Sequence, residues 1–339
     1  MLLLLAACGP THGAATVLTY GSPYSPAHPF SVADREWMAW VEKESGGRLK
    51  IKPYWSGGIL SSDESMLELR HGVVDIGLIT PIYARGGAHV LRTQAGFYGG
   101  VRDYGGQLAV YRCMQRAFAQ FDHETEGLKV LAVQGGNIPG VLTRDKPVRT
   151  LEDFRGLRLR APAELTGLLS SLGADPVSMP MAEVYSSLAK GVIDGVVAPE
   201  DTLQSLHFDE VAKHFSSARF SRGAYPARAM SLRSFERLPP DLQAVLERSI
   251  PVWEQAMQTN ITRSQAAGEA YGHRVGLDFV AFDPAMQLQL DQRYNDQALA
   301  AARALETGGG TAEPIFRLAQ AAVADLRAGR EPQCAGAGS

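Results

Sequence analysis

Three cysteines are too few for a disulfide framework, and their spacing fits no zinc site. Long apolar runs are also missing. The strongest, Leu2 to Ala7, falls far short of the roughly 20 residues that span a bilayer. The net charge is -3 and the arginines are dispersed, so nothing points to nucleic acid or to a polybasic membrane surface. Gly-x-Ser-x-Gly, Walker, His-Glu-x-x-His and paired-cysteine motifs are all absent. The eight histidines are scattered. His207 and His214 could share a helix face, but no third ligand lies near them in sequence, so they read as structural. No motif calls for a metal or an organic cofactor, and catalysis is not expected.

What is present is the composition of an ordinary globular chain: 339 residues, 45% of them apolar and 20% charged. That length is enough for two lobes, since single cores stop growing at about 250–300 residues. Leu5-Ala6-Ala7-Cys8 resembles a bacterial lipobox, which makes Cys8 a candidate for lipidation. Upstream the fit is poorer, with no Lys or Arg before Leu2 and an apolar stretch shorter than the usual 7–15 residues. The alternative is a plain signal-peptide tail with an incidental cysteine. Both readings imply export to the periplasm, with residues 1–15 as leader and linker. In an oxidising compartment Cys113 and Cys334 could pair and tie down the C-terminal tail. Otherwise one is a buried thiol and the other sits on a frayed end.

Thr16 to Tyr20 reads as a strand, and Phe30, Ala33, Trp37 and Val41 recur at helical spacing. Leu49 to Tyr54 alternates like a half-buried strand, with Pro53 best placed at its end or at a sheet edge. Ser61 and Glu64 suggest a capping box for a helix with Met66, Leu69 and Val73 on one face. Val74 to Ile79 is a strand, Leu108 to Phe121 a helix and Lys129 to Val133 another strand. The same alternation resumes at Val141, with a capping box at Thr150–Asp153 and strands at 157–160 and 192–198. The two blocks meet near Gly135–Gly140, and each predicts an α/β lobe with a largely parallel sheet. A long helix from Asp241 to about Gly272 should kink at Pro251 and, at roughly 45 Å, brace both lobes. Lobe I is assigned to 16–138 with 227–265, and lobe II to 139–226 with 266–328. The tail 329–339 is expected to be disordered.

From Leu151 to about Asp209 the chain resembles the DctP-like substrate-binding subunits of TRAP (tripartite ATP-independent periplasmic) transporters. The resemblance rests on Leu151-Glu152-Asp153-Phe154-Arg155-Gly156-Leu157-Arg158-Leu159-Arg160, then Leu172–Pro176, Met179–Tyr185 and Gly191–Gly195. Gly72–Gly77 and Phe235–Leu242 add weaker support. The resemblance implies a periplasmic-binding-protein-like fold, two α/β lobes closing a cleft over a small organic acid, with TRAP-type permease subunits as partners. It also implies that Arg160 clamps the ligand carboxylate, a role suited to a planar guanidinium fork. A receptor feeding a membrane sensor would use the same chemistry.

One position departs from the family pattern. Ala198 stands where many members carry a ligand-bonding asparagine, which suggests a less polar ligand, such as a monocarboxylate with an apolar or aromatic body. Other candidate wall residues lie in loops after strands, where open α/β sheets bind ligands. They are Ser22, Tyr24 and Tyr83 in the first lobe, with Met181, Tyr185, Glu200 and Tyr225 further on.

Overall fold

The computed structural model describes residues 15–307 and 311–334. Cys8 and the leader lie outside the described residues. β1 (Thr16–Gly21) opens the chain, and α1 (Pro29–Glu44) follows. His28 caps α1, its Nδ1 accepting from the Phe30 amide at 3.2 Å, and Pro29 takes the first helical position, where no donor is needed. Next come β2 (Leu49–Tyr54), α2 (Ser65–Arg70), β3 (Ile76–Leu78), α3 (His89–Thr93), α4 (Tyr104–Ala117), α5 (Gln120–Glu124) and β4 (Leu128–Gln134). Pro53 sits one residue from the end of β2, an edge strand. Ser61 Oγ does accept from the Glu64 amide, but the carboxylate that returns to Ser61 is Glu68, because the helix begins later. Val73 is exposed rather than buried: α2 ends at Arg70, and Gly72 turns the chain at φ +75°.

The second block holds β5 (Gly140–Thr143), β6 (Arg158–Arg160), α6 (Ala163–Ser171), β7 (Asp175–Val177), α7 (Val184–Ala189), β8 (Gly195–Ala198), α8 (Asp201–Ser205) and β9 (His214–Ser216). The Thr150 box forms, with Asp153 Oδ2 accepting from the Thr150 amide at 2.8 Å, yet it opens only a 3₁₀ turn at Glu152–Phe154. The remaining elements are β10 (Tyr225–Ser231), α9 (Leu232–Glu236), α10 (Pro240–Arg248), α11 (Ile250–Arg274), β11 (Asp278–Val280), α12 (Pro284–Thr307) and α13 (Glu313–Arg327). The kink expected at Pro251 falls two residues earlier, at Ser249, where α10 gives way to α11. Pro251 is thereby in the first turn of α11, where its missing N–H costs nothing.

The strands form two sheets, ordered β2-β1-β3-β10-β4 and β11-β9-β5-β8-β6-β7. Both are parallel except for one strand that enters from the other side: β10 runs antiparallel to β3 and β4, and β5 antiparallel to β8 and β9. The chain therefore passes from β4 to β5 through 135–139 and returns from β9 to β10 through 217–224. These two segments lie side by side, with the Phe220 amide donating to the Pro139 carbonyl at 3.0 Å. They form the hinge between two lobes.

One core spreads around the first sheet, and two smaller cores cover the opposite faces of the second. α11 leaves the first core at Ile261 and reaches the third at Tyr271. α12 runs back, from Leu290 in the second core to Ala302 in the first. α13 packs on α4 in the first core, so the last part of the stretch assigned to lobe II belongs by packing to lobe I. Residues 329–334, the described part of the tail expected to be disordered, are tied down. Cys334 is bonded to Cys113 in α4, and Asp325 accepts from Arg330 and from the Gln333 amide.

The first core contains a fully buried polar knot. Asp34 accepts from Arg228 Nε at 2.7 Å, Tyr20 Oη at 2.5 Å and Trp253 Nε1 at 2.9 Å. Trp253 also stacks on Trp37, their centroids 3.6 Å apart. Arg228 lies in β10, so this knot fastens the crossing strand to α1 and α11.

Candidate functional site

A cavity of about 80 Å³ lies between the lobes beside the hinge. One water needs roughly 10–15 Å³ on this measure, so the space suits a small molecule. Arg160 reaches it from the last position of β6, the strand end at which open parallel sheets present their binding groups. Its side chain is buried, at 1% exposure. Nε and Nη2 donate to the Met179 carbonyl at 2.9 and 2.8 Å. Nη2 also donates to Tyr83 Oη of the other lobe at 2.6 Å. Among the described residues no group accepts from Nη1, and Arg160 makes no ion pair. A charged fork held by one edge keeps donor capacity for an acceptor in the cavity.

Of the other candidates, Tyr24, Tyr83, Met181 and Tyr225 also line the cavity. Tyr24 stacks on His28 at 4.1 Å, and Phe30 meets both edge-on, which gives the first lobe an aromatic wall. Burial, with Arg228 adding to it, pushes the His28 imidazole down to about 3, so this ring is neutral. The Tyr24 and Tyr225 phenols are pushed up by burial.

Four candidates lie elsewhere. Ala198 points away: Val197 and Pro199 border the cavity, and in a period-two strand the residue between faces the opposite core. Its substitution for asparagine therefore says nothing about ligand polarity. Ser22 is buried and accepts from the Tyr24 amide at 3.3 Å, shaping the loop rather than the wall. Glu200 is buried in an ion pair with Arg219 at 2.6 Å and accepts from Gln265, which ties α8 to α11. Tyr185 is exposed, and its hydroxyl donates to Glu210 at 2.6 Å.

Sequence reasoning missed Arg222, Asp201, Asn137 and Glu164. Arg222 enters from the second hinge segment and lies against Gly136 of the first. A Cβ there would come within 2.4 Å of its guanidinium carbon. Burial opposes its charge, but Tyr225, Asp201, Tyr83 and Tyr24 together hold its pKa above the usual range. Asp201 is buried at the start of α8, with Oδ1 accepting from Asn137 Nδ2 at 2.8 Å; burial raises its carboxyl. Burial likewise raises that of Glu164, against Arg160 and Arg222. The Gly-Gly-Asn stretch at the joint between blocks was a usable signal for Asn137. Nothing local flags Arg222.

A cavity closed between two α/β lobes around a paired-strand hinge defines a ligand-binding protein of the periplasmic-binding type. The chain belongs to the DctP family, bacterial extracellular solute-binding protein family 7, which matches residues 20–271. A solute-binding protein of Albidiferax ferrireducens is 28% identical over 224 residues, 62% of this chain and 63% of that one, so the match spans under two thirds of the relative. A TRAP solute-binding protein of Rhodoferax ferrireducens, solved with copurified benzoate, superposes with a TM-score of 0.81 at 24% identity, covering 93% of this chain and 99% of that one. One from Bordetella bronchiseptica, with bound (R)- and (S)-mandelate, gives 0.78 at 22% identity, covering 92% and 99%.

Proposed function

We propose that this chain is the extracytoplasmic binding subunit of a TRAP-type transporter. It captures a small organic monocarboxylate with an apolar or aromatic body and delivers it to membrane permease subunits. Arg160 carries this reading: a buried guanidinium that bonds across the lobes to Tyr83 and keeps Nη1 without an acceptor among the described residues. The carboxylate docks on that fork, the lobes close, and exclusion of water strengthens the charge-assisted bonds. The wall of Tyr24, His28 and Phe30 suits a flat apolar body better than a polyhydroxylated one. The neutral His28 adds no charge to that wall. Export of the chain, with or without a lipid on Cys8, belongs to the same reading.

A thermal-shift screen of the folded chain against a panel of organic acids tests it. A ligand at 100 times its dissociation constant stabilises the folded state by about 2.7 kcal/mol, a readily visible shift. Arg160→Ala should abolish the shift while leaving the unliganded melting temperature nearly unchanged. An undiminished shift in that variant would remove Arg160 from the site.

A further inference from the structure

The cavity holds more charge than a single carboxylate clamp requires. Arg160 and Arg222 both line it, and so does Asp201. Arg222 comes from the hinge, fits only because residue 136 is glycine, and makes no ion pair among the described residues. Asp201 and Arg222 act on each other electrostatically, each shifting the other's titration, without forming an ion pair. The structural task of Asp201 is to accept from Asn137 Nδ2, which also donates to the Ile261 carbonyl at 2.9 Å. An amide oxygen could perform that task. The negative charge is surplus to it, and a buried charge without a structural use is expensive to keep.

We propose that Asp201 restricts the cleft to singly charged acids by cancelling the second guanidinium, Arg222. The inference rests on the carboxylate-binding reading and deepens it. Two positive charges against one negative leave one positive charge among Arg160, Arg222 and Asp201. A monoanion brings that sum to zero. A dianion leaves one negative charge buried, and an ionised Glu164 would make its reception worse. Discrimination thus comes from an element that repels the wrong ligand as well as one that attracts the right one.

Calorimetric titration with two matched pairs, butyrate against succinate and benzoate against phthalate, tests the filter in the full chain. The wild type should favour the monocarboxylate of each pair. Asp201→Asn keeps an acceptor for Asn137 and should shift the ratio toward the dicarboxylate by about tenfold or more. Arg222→Gln should weaken the monocarboxylates by about tenfold or more, because the cavity then has no net positive charge. An Asp201→Asn ratio within about twofold of wild type, with binding still lost in Arg160→Ala, overturns the filter and leaves the clamp standing. Binding that survives Arg160→Ala overturns the clamp and the filter together. Should Asp201→Asn not fold, Arg222→Gln decides: monocarboxylate affinity kept at the wild-type level refutes the filter.

Discussion

Removing the Tyr83 hydroxyl isolates what lobe closure contributes to binding. Tyr83 belongs to one lobe and Arg160 to the other, and the 2.6 Å bond between them exists only while the lobes are together. Its free energy therefore adds to the difference between closed and open states, not to the stability of either lobe. A net hydrogen bond to a charged group is worth about 1.5–3 kcal/mol. Tyr83→Phe keeps the ring, which lies 5.8 Å from the Arg160 guanidinium, and deletes only the acceptor. The dissociation constant for the bound carboxylate should rise roughly 10- to 150-fold, at 1.4 kcal/mol per decade. A smaller closed fraction lowers apparent affinity in proportion, so the loss should appear mainly as faster release. Calorimetry gives the affinity and stopped-flow displacement the release rate, while urea unfolding should change by less than about 0.5 kcal/mol. Affinity within twofold of wild type, in a protein that loses binding on Arg160→Ala, would refute the idea that the inter-lobe bond supports closure.

Two further predictions concern lobe I. Asp34→Ala leaves Arg228 buried without its carboxylate and should cost about 3–5 kcal/mol in urea unfolding. The double variant Asp34→Leu with Arg228→Met should recover most of that loss, and a loss as large as the single variant's would refute the charge argument. His28 has a folded pKa of about 3 against an ordinary 6.5, so between these values the unfolded chain binds the extra proton. Its contribution is complete above pH 6.5 and is lost as the pH falls, by about 2 kcal/mol between pH 7 and pH 5. His28→Asn keeps an acceptor at the helix start and should flatten that part of the stability profile. An unchanged slope would show that the imidazole does not titrate this way.

The α/β alternation was legible because each lobe is built from local patterns: period-two strands such as Leu49–Tyr54 and an amphipathic α1. The return of the chain to lobe I near 227 was expected, but nothing local in Tyr225–Ser231 marks its partners as β3 and β4 or its direction as antiparallel. Errors at the site follow from the same limit. Ala198 lies in the expected strand on the wrong face, a matter of one residue of register. Tyr185 lies on the expected helix but faces solvent. Arg222 points into the cavity because two hinge segments cross there, and no window around it records the crossing. Arg160 was named by its match to the family motif, and it does line the cavity.

The disulfide has a practical consequence. Cys334 is locked to α4, and β1 begins at Thr16 in the same lobe, so both ends of the described chain leave from lobe I. Neither end of the described chain lies in lobe II, which is carried out along the hinge and α11 and brought home along α12. A surface linker joined at either end would grip the molecule by one half and leave the other free to swing. A dye placed on lobe II would then report ligand capture as a change in distance from the point of attachment.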